Sequence, residues 1–106
     1  MVDNIYKLAV DKWGENAQIG QLHEEMGELM TAINRLYYRK RKDVSKEDVA
    51  EEIVDVWVMT KQMIELFELG DMMDDMYDLK HKQLAKQLQV GKNFKIDVKT
   101  KEEYFR

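Results

Sequence analysis

Ala17-Gln-Ile-Gly-Gln-Leu-His-Glu-Glu-Met-Gly-Glu-Leu-Met-Thr-Ala-Ile-Asn-Arg-Leu36 carries the pattern that decides the fold. Ile19, Leu22, Met26, Leu29, Ile33 and Leu36 return at alternating steps of three and four, the repeat that keeps apolar side chains on one stripe of a helix. That repeat predicts a helix over about residues 17–39 with one face in a bundle seam. Glu25 and Glu28 fall beside the seam, sharing a stripe with Gln18, Gln21 and Ala32, so both carboxylates border the core.

Working outward, the N-terminal segment predicts a first helix capped by Asp3 and running to about Trp13, with Ile5, Leu8 and Ala9 inward and Gly14 and Asn16 as the break. Downstream, Arg39-Lys-Arg-Lys42 suits the negative end of the second helix dipole and reads as a solvated helix end. Ser45 with Asp48 three residues on is a capping box, predicting a third helix from there to Gly70. Its inward stripe is Val49, Ile53, Val56, Trp57, Met63, Ile64 and Phe67. Because Val54, Val58 and Leu66 lie outside that stripe, this helix is expected to be the most buried. Asp71 is the expected cap of a fourth helix reaching about Val90, with Met73, Met76, Tyr77, Leu84 and Leu88 inward and Gly91 closing it. Phe94, Ile96 and Val98 alternate with polar residues, as in a short strand or an arm laid on a partner subunit.

The expected architecture is all-α: one domain over residues 1–106, a four-helix core over about 3–91 and a C-terminal arm over about 92–106. Composition agrees, because the chain has no proline, five glycines and 36% charged residues, as amphipathic helices require. It has no cysteine, which excludes disulfides and thiolate metal sites and fits a reducing cytoplasm. No apolar leader and no run of ~18 apolar residues suggests secretion or a membrane span. The net charge of -4 disfavours a nucleic-acid partner.

Glu52 and Asp55 repeat the three-residue acidic spacing on the third helix. About four such pairs arise by chance in a chain this acidic, so spacing alone is weak. Asp55, however, sits within Ile53-Val54 and Val56-Trp57-Val58-Met59, and a carboxylate among apolar neighbours needs compensation. Either cationic side chains from other helices supply it, or a hard cation such as Mg2+ is held by the four acids Glu25, Glu28, Glu52 and Asp55, and the metal needs fewer partners. A di-iron carboxylate site is excluded, because Glu-x-x-His does not occur twice. His23 and His81 read as surface or helix-end residues.

Glu25-Met-Gly-Glu28 followed by Glu52-Ile-Val-Asp55 resembles the signature of the MazG-like members of the all-α nucleoside triphosphate pyrophosphohydrolase superfamily. Trp13-Gly14, Gln18, Glu24-Glu25 and Glu28-Leu29 look like that family's approach to its motif. The resemblance covers most of residues 5–90. It implies a four-helix core assembled as a homodimer or homotetramer, Mg2+ (or Mn2+ in its place) on Glu25, Glu28, Glu52 and Asp55, and cleavage of a nucleoside triphosphate to monophosphate and pyrophosphate. In that reading Glu24 orients or deprotonates the attacking water, Lys82 and Lys86 hold phosphate oxygens, and Gln18 and Gln21 approach the nucleobase. Two alternatives stand beside it: a dUTP-type or phosphoribosyl-ATP pyrophosphohydrolase within the superfamily, and a non-enzymatic acidic helical module that binds another protein.

Overall fold

A computed structural model describes residues 4–89 of the chain. These residues form four α-helices and no strand: α1 (Ile5–Trp13), α2 (Glu15–Tyr37), α3 (Lys46–Leu66) and α4 (Gly70–Gln87). The chain divides between Phe67 and Glu68 into two compact units. The expected all-α class holds. The alternating segment at Phe94–Val98, the arm at 92–106 and the Gly91 stop lie outside the described residues.

In the first unit α2 packs along α3, and α1 packs on α3 with a smaller contact to α2. Asn4, not Asp3, caps α1, its side chain accepting from the backbone N–H of Tyr6 at 2.9 Å and of Lys7 at 3.4 Å. The Asn4 amide also donates to Glu65, which ties the start of α1 to the last turn of α3. Gly14 separates α1 from α2 as expected, at φ 84°, where a side chain is strained. α2 then starts at Glu15, two residues before the expected start, and ends at Tyr37, short of Arg39. The connection passes through Lys40 at φ 49°, which stops the helix.

The capping box is present. Ser45 Oγ accepts from Asp48 N–H at 3.2 Å, and Asp48 accepts from Ser45 N–H at 2.8 Å. α3 ends at Leu66, before the expected Gly70, because Glu68 takes the left-handed conformation at φ 54° and turns the chain. Gly70 therefore opens α4 rather than closing α3. The expected Asp71 cap is also corrected: α4 begins on the carbonyl of Leu69, which accepts from Met72 and Met73 N–H, with no side-chain cap. Asp71 sits in the first turn, where its charge suits the helix dipole.

α3 carries Met59, Lys61, Gln62 and Met63 as buried residues, more than any other helix, as expected, but two of the four are polar, and Val54 and Val58, from which that expectation came, are exposed. The expected inward stripes are nevertheless incompletely covered. Met26 (47% exposed) and Ile33 on α2, and Ile53 (49%) on α3, stand open to solvent. Three helices of this length leave one face of the α2–α3 pair without a neighbour inside the first unit, since α1 is only nine residues long. In the second unit Tyr77 and His81, one turn apart on α4, stack with ring centroids 4.0 Å apart, and His81 Nδ1 lies 2.8 Å from the Tyr77 carbonyl oxygen.

Removing the Ser45 hydroxyl takes away one half of the capping box. Ser45→Ala is expected to lower stability by about 1 kcal/mol in urea denaturation; no change in midpoint would show that the box contributes nothing to the fold.

Candidate metal centre

The α2–α3 contact places Glu25 against Glu52 and Asp55. One carboxylate oxygen from each of these three lies within 4.8 Å of the others, and all three residues are half-buried. Each pair is held by helix spacing: one turn of α3 puts Glu52 and Asp55 on the same side, and the α2 stripe beside the apolar seam delivers Glu25 to them. The flanking apolar residues are less closed than their sequence suggests, because Ile53 and Val54 are about half exposed while Val56 and Trp57 are half-buried.

The fourth acid, Glu28, is outside this group of three, exposed at the mouth of the site. Its carboxyl is pushed above the ordinary value, first by the charge of Glu25, then by desolvation and by Glu52 and Glu24. Glu52 is raised as well, first by desolvation and then by Asp55 and Glu25, with a hydrogen bond from Glu28 working the other way. Both directions have one source: the carboxylates crowd one another, and a cation placed among them would relieve that repulsion.

Two observations fit a cation to these residues. Glu25 Oε2 and Glu52 Oε2 are shielded from solvent yet have no hydrogen-bond partner among the described residues. None of the four acids is ion-paired to a lysine or arginine among those residues, so the salt-bridge alternative finds no partner there. Oxygens sharing an octahedral Mg2+ at about 2.1 Å stand at most about 4.2 Å apart. The observed spread needs only a small contraction.

Around the centre, Gln21 Nε2 donates to Glu25 Oε1 at 2.6 Å and so orients that carboxylate. Gln18 is 4% exposed with Oε1 unpartnered among the described residues. Glu24 and Glu28 line an open cleft of about 580 Å³ together with Glu52, Thr31, Arg35, Asp43 and Asp48. Lys82 and Lys86 are exposed on α4, in the second unit.

Sequence reasoning missed Arg35, Asp43 and Asp48 as cleft residues. Arg35 was findable, since Glu24, Glu28, Thr31 and Arg35 follow at steps of four, three and four along one stripe of α2. Asp43 lies in a connection without periodicity, and the capping role of Asp48 drew attention from the surface it also faces. Compared with protein-family models, with curated proteins and with solved structures, the chain matches none.

The raised carboxyls set the sign of a pH effect. Glu52 binds its proton more tightly in the fold than in the unfolded chain, so its contribution is favourable below 4.5 and is lost as pH rises through the higher folded value. Without metal, Glu52→Gln is therefore expected to raise the melting temperature by a few degrees at pH 7 and much less at pH 4. With millimolar Mn2+ at pH 7 the order reverses, because wild type alone keeps the full ligand set. A variant that melts with wild type at both pH values would contradict the electrostatic reading.

Proposed function

We propose that this chain is a Mg2+-dependent nucleoside triphosphate pyrophosphohydrolase of the MazG-like kind, removing surplus or damaged triphosphates. The observation that carries the reading is the convergence of Glu25, Glu52 and Asp55 from two helices, with two shielded carboxylate oxygens lacking partners among the described residues, beside a cleft of about 580 Å³. The motif resemblance supplies the substrate class.

Glu25, Glu52 and Asp55 would hold the ion, and Glu28 would complete the set. Bound there, Mg2+ neutralises phosphate charge and lowers the pKa of a coordinated water. The protein's own groups do the rest. Gln21 fixes the Glu25 carboxylate. Glu24 lines the cleft outside the group of three, so its carboxylate is available to orient the attacking water or accept its proton. Gln18 offers a buried carbonyl oxygen to a base amino group.

Assembly as a homodimer or homotetramer belongs to the same proposal. Among the described residues no large side chain is fully buried, and Met26, Met30, Ile33 and Tyr37 on α2 and Ile53, Val54 and Val58 on α3 are exposed. Such apolar surface marks an interface. No helix among the described residues is long and apolar enough to cross a membrane. The cytoplasm, where triphosphates are abundant, is the proposed location.

Incubation with a panel of normal, deoxy and damaged triphosphates, including dUTP and phosphoribosyl-ATP, is expected to release pyrophosphate from at least one of them. Silence across the panel with both Mg2+ and Mn2+ would leave the acidic protein-binding module as the better reading. Asp55→Asn is expected to reduce turnover at least a hundredfold with circular dichroism unchanged; full turnover would exclude Asp55 as a ligand. Sedimentation equilibrium is expected to give a mass of at least twice the 12.7 kDa chain, and a monomer would overturn the proposed assembly.

A further inference from the structure

The cleft beside the metal centre holds one cation whose role is unexplained. Arg35 lines it together with the acids Glu24, Glu28, Glu52, Asp43 and Asp48. Its side chain is half-buried, and its Nε is shielded from solvent without a hydrogen-bond partner among the described residues. A guanidinium N–H withdrawn from water and left unpaired is unfavourable, so an acceptor is expected in the cleft.

Asp43 is the obvious internal candidate, and it is already engaged. Arg41 donates to both of its oxygens, from Nε to Oδ1 at 2.9 Å and from a terminal nitrogen to Oδ2 at 2.7 Å. That bidentate pair holds Asp43 below the ordinary carboxylate range, with Arg35 the smallest of the causes. Neither Asp43 nor any other acid of the cleft accepts from Arg35 Nε among the described residues, which leaves that N–H open to a ligand.

Position identifies its chemistry. Arg35 lies ten residues beyond Glu25 on the same helix, about 15 Å along the axis, with Glu28 between them. Long helical side chains lean toward the N-terminus, here toward the acids. An isolated anion is repelled by these acids. A polyphosphate that reaches the acids as a divalent-metal complex is not, and its far end then extends along the α2 stripe. Arg35 offers a planar fork matched to two phosphate oxygens, which a lysine does not.

We infer that Arg35 binds the phosphate end of a metal-complexed polyphosphate lying along the α2 cleft, with the metal at Glu25, Glu52 and Asp55. This inference rests on the proposed metal centre and adds a substrate contact to it. It also makes chain length a determinant of affinity: a chain of two or three phosphates reaches further from the metal toward the guanidinium than orthophosphate does.

Isothermal titration of inorganic pyrophosphate into the full chain with Mg2+ tests it, using wild type, Arg35→Ala, Arg35→Gln and Arg35→Lys. Wild type is expected to bind pyrophosphate at least tenfold more tightly than orthophosphate. Arg35→Ala and Arg35→Gln should lose at least tenfold in pyrophosphate affinity and Arg35→Lys less, while all three keep the wild-type rise in melting temperature with Mn2+. Equal pyrophosphate affinity in Arg35→Gln and wild type overturns the inference, as does a wild type that binds no pyrophosphate. Arg35-dependent pyrophosphate binding in a protein that hydrolyses no triphosphate would uphold the inference and refute the hydrolytic reading.

Discussion

The structure depends on mutual repulsion among carboxylates that helix packing forces together. α2 lies on α3 through an apolar seam, and because Glu25 borders that seam, closing it drives Glu25 against Glu52 and Asp55. Each acid could relax only by separating the helices or by gaining a positive partner. The crowding raises the carboxyls of Glu28 and Glu52. A divalent cation would relieve it and would give partners to the two shielded oxygens of Glu25 and Glu52 that have none among the described residues. Local stability is thereby given up at the acids, where a ligand can restore it.

Much of this was legible from residue spacing. The three–four repeat from Ile19 to Leu36 foretold α2 and the side on which Glu25 would stand, and the Ser45–Asp48 box foretold the start of α3. Pairing of the two acidic motifs followed from both lying next to apolar seams. What failed were the stops. Glu68 and Lys40 adopt left-handed conformations usually reserved for glycine or asparagine, and nothing in their side chains announces it. Gly70 attracted the role of terminator that Glu68 performs. Capping by Asn4 was missed because its neighbour Asp3 is an equally good capping residue by type.

The site was less legible than the fold because its outer wall comes from a connection. Glu24, Glu28, Thr31 and Arg35 share a helical stripe, but Asp43 meets them only through the turn after α2. The Arg41–Asp43 pair, two residues apart within that connection, occupies the acid that would otherwise neutralise Arg35. A short local ion pair thus leaves a longer-range cation facing the cleft. The exposed apolar residues of α2 and α3 point the same way: surfaces that serve no contact within the first unit suit contacts outside it.

The central claim is that the α2–α3 acids form a cation site. Anomalous diffraction from crystals grown with Mn2+ tests this most directly. The account predicts a strong manganese peak within about 2.5 Å of carboxylate oxygens of Glu25, Glu52 and Asp55. Well-ordered acids with no peak between them, or manganese bound only at other carboxylates, would contradict it.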